Sequence, residues 1–225
     1  MNIFRFKQLE LYSGNLHGQK QFYLDLLQLP LVEEDARSFS CLIGSSVLKF
    51  LEGESGSRCH FAINIPANQI RESFDWLNPQ VEKIKDGLSD FVRFEGWNAN
   101  ALYFYDADGN IVEFIARQNL KTDSGKPFDP SSFIGISEIG MPSDHIRTTF
   151  DRLNEGMKVP VYSGDFDYFI AAGSEHALFI LVDQKHKKWF PTRHPAQPCN
   201  FNLVVVQDGK EVFLSYQNGL LTFGR

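Results

Sequence analysis

The chain has 225 residues, 43% hydrophobic and 22% charged, an ordinary globular composition that excludes disordered and collagen-like classes. A net charge of -6 and a pI near 5.5 leave no general basic face to displace counterions from phosphate, so nucleic acid is not an expected partner. No run approaches the ~20 apolar residues that span a bilayer, and the opening stretch mixes Arg5, Lys7, Gln8 and Glu10 into its apolar positions, unlike a secretion signal.

A cytoplasmic protein without a membrane partner is the resulting expectation. Cys41, Cys59 and Cys199 form no close pair and are odd in number, so they read as small buried apolar side chains. The 21 Phe favour strand packing, because aromatic side chains fit a pleated surface.

In chain order, residues 4–12 alternate as a strand, and a Ser13-Gly14-Asn15 turn suits a helix start. Phe22, Tyr23, Leu26 and Leu27 recur at helical spacing before Leu29-Pro30 ends the helix. Strands follow near 32–35, 39–43 and 47–51. The scheme then repeats, with a strand over 59–65, a helix over 69–77, and strands near 91–94, 101–105 and 111–116. Asp106-Ala107-Asp108-Gly109-Asn110 has hairpin chemistry.

Residues 119–130, rich in Asp, Ser, Gly, Lys and Pro, read as a linker between a half at 1–118 and a half at 131–225. A third unit has a strand over 133–141, a helix over 143–153, and strands near 161–162, 168–171 and 177–182. A fourth opens with Cys199-Asn200-Phe201-Asn202-Leu203, an echo of Cys59-His60-Phe61-Ala62-Ile63. It then keeps only a hairpin, 211–216 with 220–223, and no helix. The pattern is α+β: repeated βαβββ units forming curled mixed β-sheets, in two halves of which the second is degenerate. Pairing units one and two would close a cup in the first half.

Three stretches carry a resemblance: Phe22-Tyr23-Leu24-Asp25-Leu26-Leu27-Gln28-Leu29-Pro30, Cys59-His60-Phe61-Ala62-Ile63-Asn64-Ile65-Pro66, and the run from Tyr103 through the 106–110 turn to Glu113-Phe114. They resemble the vicinal oxygen chelate superfamily of glyoxalases, bleomycin resistance proteins and extradiol dioxygenases. The resemblance is fullest over residues 1–117. It implies a cup with four inward strand positions, carried by register onto Gln8, Lys49, His60 and Glu113. Strand parity gives a check on three of them, setting His60 with Ala62 and Asn64, and Glu113 with Ile111, Ile115 and Arg117. In the first strand Gln8 shares its face with Phe6, Glu10 and Tyr12.

The resemblance implies metal ligands Gln8, His60 and Glu113, with Glu10 as alternate if the register slips. Mixed nitrogen and oxygen donors without thiolate suit Fe, Mn, Ni or Zn. Glu113 is the candidate general base. A protonated Lys49 cannot coordinate metal, which departs from the glyoxalase pattern, and Gln8 departs from the two histidines of ring-cleaving dioxygenases. Lys49 and Arg117 each read as a solvated or Glu-paired strand residue or, alternatively, as a cation that holds an anionic substrate or replaces the charge of the metal, and Tyr103, Tyr105 and Asn64 as further substrate contacts.

The expected function is a divalent-metal lyase, isomerase or dioxygenase acting on a small oxygenated molecule. The alternatives are a metal-free ligand-sequestering protein of the same fold and a scaffold. Glu138, Asn200 and Thr222 stand at the corresponding positions of the second half, where no metal is expected. That half would cover the cup or form a homodimer face, with Trp189-Phe190-Pro191-Thr192 and Arg193 as a covering loop.

Overall fold

The computed structural model describes residues 4–54, 56–77, 79 and 81–224; residues 1–3, which open the first half in the sequence reading, lie outside it. Unit one runs β1 (Phe4–Ser13), α1 (Leu16–Lys20, continued as a π-helical turn to Leu26), β2 (Leu31–Asp35), β3 (Ser38–Ile43) and β4 (Ser46–Glu52). Unit two runs β5 (His60–Ile65), α2 (Ile70–Trp76), β6 (Lys83–Ile84), β7 (Val92–Phe94), β8 (Ala99–Tyr105) and β9 (Ile111–Arg117). Unit three has β10 (Gly135–Ser143), α3 (Ile146–Met157), β11 (Val161–Asp165), β12 (Phe169–Ser174) and β13 (Ala177–Asp183). Unit four keeps β14 (Phe201–Gln207), β15 (Lys210–Gln217) and β16 (Leu220–Phe223), with no helix among its described residues.

Within units one to three the first strand pairs parallel with the last, β1 with β4, β5 with β9 and β10 with β13, because the helix carries the chain across the sheet. The joints between units correct the sequence reading. Unit one joins unit four through antiparallel β1 and β14, and unit two joins unit three through antiparallel β5 and β10. The result is a seven-stranded sheet, β16-β15-β14-β1-β4-β3-β2, and a nine-stranded sheet, β11-β12-β13-β10-β5-β9-β8-β6 with β7 on β8. The expected cup between units one and two does not form.

One face of each sheet builds a shared core, in which Leu9, Phe50 and Leu203 of the smaller sheet join Phe61, Phe114 and Ile139 of the larger. Phe6 meets Phe179 across it with ring centroids 5.2 Å apart. Helix α3 adds Ile146, Phe150, Leu153 and Met157, the i, i+4, i+7, i+11 stripe of an amphipathic helix. The outward face of the nine-stranded sheet forms a second apolar cluster around Ala62, Tyr103, Ile111, Ile180 and Trp189.

Two further expectations are corrected. Cys59 and Cys199 form a disulfide with a Cα–Cα distance of 5.3 Å, and only Cys41 is free. Their 140-residue separation hid the pairing, although they stand at the matching starts of units two and four. Phe6 lies in the core with Leu9 and Leu11, apart from Gln8. A β-bulge between Phe6 and Gln8 inserts a residue and flips the face. No helix among the described residues is long and apolar enough to cross a membrane.

Candidate functional site

Strand alternation builds the site on the outward face of the nine-stranded sheet. In β5, Phe61, Ile63 and Ile65 enter the shared core while Ala62 joins the outward cluster, so His60 faces outward with Ala62. In β9, Val112, Phe114 and Ala116 go inward, and Ile111 and Ile115 outward with Glu113 between them. Strand β10 brings the third group. Simple alternation would set Glu138 on the same face as Ile136, a core residue, but the β-bulge between these two re-aims Glu138 to the outward face.

Among the described residues, His60, Glu113 and Glu138 each offer a ligand atom within 4.8 Å of the others, and all three are buried. His60 Nε2 lies 3.6 Å from Glu113 Oε2, too far for a hydrogen bond. His60 Nδ1 sits 3.1 Å from the Ile111 carbonyl oxygen, so it carries the proton and leaves the Nε2 lone pair free. Burial lowers the imidazole pKa to about 4, so the ring is neutral near pH 7.

Burial, reinforced by the charge of Glu138, raises Glu113 well above the usual carboxylate range. Arg117 and the Tyr103 hydroxyl oppose this shift, and Glu113 Oε1 is buried without a partner. Burial raises Glu138 too, opposed by the buried Arg117, whose Nη2 donates to Glu138 Oε1. Arg117 Nε also donates to Asn64 Oδ1 at 3.1 Å, and the guanidinium lies 5.5 Å from the Trp97 ring centre.

The turn between β8 and β9 fixes His60 from behind. Asp106 accepts from Asn110 N and Nδ2, both at 2.8 Å, from Gln19 Nε2 at 2.8 Å and from Tyr23 Oη at 3.0 Å, which locks α1 and its π turn onto it. Asn110 Oδ1 in turn accepts the Cys59 backbone N–H at 2.9 Å. His60 is therefore preceded by a residue held both by this bond and by the disulfide.

A cavity of about 320 Å³ opens at the three groups, lined also by Phe94, Trp97, Tyr103, Phe169, Ile180 and Trp189. The segment after β13 covers it. The Trp189 ring lies 5.1 Å from the His60 ring and Phe190 lies 6.2 Å from Tyr103. Gly140 makes room for this cover, since a Cβ there would stand 2.4 Å from Trp189 Cη2.

Two solved structures share this architecture over most of the chain. A candidate dioxygenase from Bacillus subtilis matches 92% of this chain and 67% of its own with 14% identity and a TM-score of 0.59. Glyoxalase I from Zea mays matches 80% and 67% with 12% identity and a TM-score of 0.53. The chain has the vicinal oxygen chelate fold. A shorter likeness, 49% of this chain and 87% of the other with 21% identity and a TM-score of 0.40, is to the Mn(II) complex of the fosfomycin resistance protein FosX from Listeria monocytogenes, too low to weigh here. No family model and no curated protein matches the sequence.

Within this vicinal oxygen chelate fold the structure redistributes the residues singled out from the sequence. His60 and Glu113 come together. Gln8 and its alternate Glu10 do not join them: they lie on the seven-stranded sheet in a different cavity, and Glu10 accepts from Asn202 Nδ2 at 2.6 Å. Lys49 is on that sheet as well, opposite Glu10 and Ser40. Arg117 and Asn64 form a buried network with Glu138 and do not line the cavity. Tyr103 lines it, and Tyr105 stands beside it, its hydroxyl 3.1 Å from His194 Nε2.

Glu138 is the residue that sequence reasoning set aside, because it belongs to unit three and the wrong units were paired. By the shared register of β5 with β9 and β10 with β13, Glu113 corresponds to Ile180, so the fourth inward position is apolar. Three donors remain.

These donors fit a divalent ion. Ligands bonded at about 2.1 Å and set at 90–110° to one another stand roughly 3.0–3.4 Å apart, close to the 3.6 Å between His60 and Glu113, while the full set with Glu138 lies within 4.8 Å and would draw together around an ion. The unpartnered Glu113 Oε1 is the polar atom such an ion would satisfy.

Proposed function

We propose that the chain is an enzyme that uses a divalent ion, held by His60, Glu113 and Glu138, on a small oxygenated molecule in the aromatic cavity. The convergence of one imidazole and two carboxylates at the floor of that cavity carries the reading. A bound ion would supply Lewis-acid polarisation of a substrate oxygen. Two carboxylates with one imidazole favour Mn or Fe(II) over a thiolate-preferring metal.

The chain's own residues supply the rest. His60, neutral and oriented by the Ile111 carbonyl, presents Nε2 without first losing a proton. Glu113, whose burial raises its proton affinity, is suited to take a proton from substrate carbon or oxygen and return it. Arg117 offsets the charge of Glu138 and fixes its direction. A lyase or isomerase is favoured over ring cleavage, because Glu138 stands where the dioxygenase pattern has a second histidine.

Purification without chelator followed by metal analysis tests this directly. About one Mn or Fe per chain is expected, with affinity falling at least ~100-fold in His60→Ala and Glu138→Gln, since even outer-shell changes cost 10–100-fold. No stoichiometric ion and no uptake of Mn(II) or Fe(II) by the purified chain would sink the proposal.

The Arg117–Glu138 pair favours a second reading, a metal-free binder, because the guanidinium already compensates one of the carboxylates. Ligand-induced thermal stabilisation that survives His60→Ala in chelator would support it.

A further inference from the structure

The wall of the cavity that comes from the segment after β13 has a chemistry that metal binding does not use. Trp189 and Phe190 face a wall of Phe94, Trp97 and Phe169, in which ring centroids stand 5.7 Å apart for Phe94–Trp97 and 6.4 Å for Trp97–Phe169. Phe190 closes on Phe94 at 6.2 Å. At about 320 Å³ the space is at the small end of ligand pockets, which span roughly 300–1,000 Å³. Walls made of aromatic faces and edges on two sides suit a flat ring better than a branched aliphatic group, because rings pair favourably with rings.

The polar groups of the same segment are donors. Lys187 and Lys188 line the cavity, are exposed, and have no carboxylate partner among the described residues, whereas their neighbour Lys185 is paired with Asp144 at 3.2 Å. Inside them, the Trp189 Nε1–H is buried without an acceptor, an arrangement costly enough to call for one from outside the chain. A ring-lined slot with two free cations at its rim and an unanswered N–H within is complementary to a planar anion.

We propose that the cavity takes a planar aromatic molecule bearing a carboxylate or comparable anionic group. The ring lies between the Trp97 wall and the Trp189–Phe190 cover, the anion faces Lys187 and Lys188, and an oxygen accepts from Trp189 Nε1. The assignment rests on the reading of this cavity as the substrate site and names its substrate class.

Binding to the chelator-treated chain, followed by tryptophan fluorescence and calorimetry, separates the outcomes. The probes are benzoate, phenylacetate and 2-naphthoate, their neutral amides, and hexanoate as an aliphatic anion. At low salt at least one arene carboxylate should bind about tenfold more tightly than its amide, the scale of two partly exposed ion pairs, and more tightly than hexanoate, which keeps the anion but has no ring to meet the aromatic walls. The ratio to the amide should fall toward one in Lys187→Gln/Lys188→Gln and at high salt, while Mn(II) uptake by that variant stays unchanged. Equal affinity for carboxylates and amides, preference for hexanoate, or no saturable binding of any probe would overturn the proposal. Arene binding without metal uptake would refute the metalloenzyme and leave this assignment standing; metal uptake without arene preference would do the reverse.

Discussion

Replacing Cys199 with Ala removes the clamp that ties the start of β5 to the approach to β14, and with it the covalent link between the two sheets. The bridge closes 140 residues of chain. In the chain-entropy treatment a loop of that length restricts the unfolded state by about 5 kcal/mol, and measured bridges typically deliver 2–4. For a domain of this size each kcal/mol moves Tm by roughly 2–4 °C, so the oxidised wild type should melt some 5–15 °C above the variant.

Thermal and urea unfolding, each with and without dithiothreitol, isolate the effect. Reductant should bring the wild type down to near the variant and leave the variant where it was. The small void left by the missing sulfur is absent from the reduced wild type, so any remaining gap between the two measures that void. Insensitivity of wild-type melting to reductant, together with three titratable thiols in the unreduced unfolded chain, would refute the reasoning.

Acid titration reads the state of His60. Its pKa is about 4 when folded against 6.5 for the free side chain, so the stability it confers is full above pH 6.5 and lost as pH falls to about 4. The loss is on the order of 3 kcal/mol. His60→Gln cannot charge, so its stability should decline less than that of the wild type across this window in urea titrations at stepped pH; parallel declines would rule out a buried neutral imidazole. Gly140→Ala drives a methyl to within 2.4 Å of Trp189 Cη2, and the central strand β10 cannot yield. The indole should swing out, raising iodide quenching of tryptophan fluorescence and costing about 1–3 kcal/mol; unchanged quenching would show that the strand moves instead.

Much of the architecture is local and therefore readable from the chain. Units one to three are each a short-range pattern, and the outward setting of His60 and Glu113 follows from unbroken alternation in β5 and β9. The seams between units are not local. The β1–β14 seam joins residues such as Leu9 and Leu203, with no turn to announce it, and the echo of Cys59 in Cys199 was legible as a repeat without indicating a contact. Glu138 stands by register at the matching first-strand position of unit three, and only the wrong choice of paired units set it aside as a ligand. For Arg117 the sequence leaves two readings, a Glu-paired strand residue or a substrate cation, and the buried pair with Glu138 is the first of them.

The order of the seams also nests one half of the molecule inside the other. Every strand of the sheet that bears His60, Glu113 and Glu138 comes from one uninterrupted stretch, residues 60–183, while the opposing sheet is assembled from 4–52 and 201–223. On a ribosome the inner sheet can close as soon as its own stretch has emerged, whereas β1, which can pair early with β4, has its other edge open until the later-made β14 arrives. The inner sheet thus gives the late-arriving β14 a finished surface on which to dock.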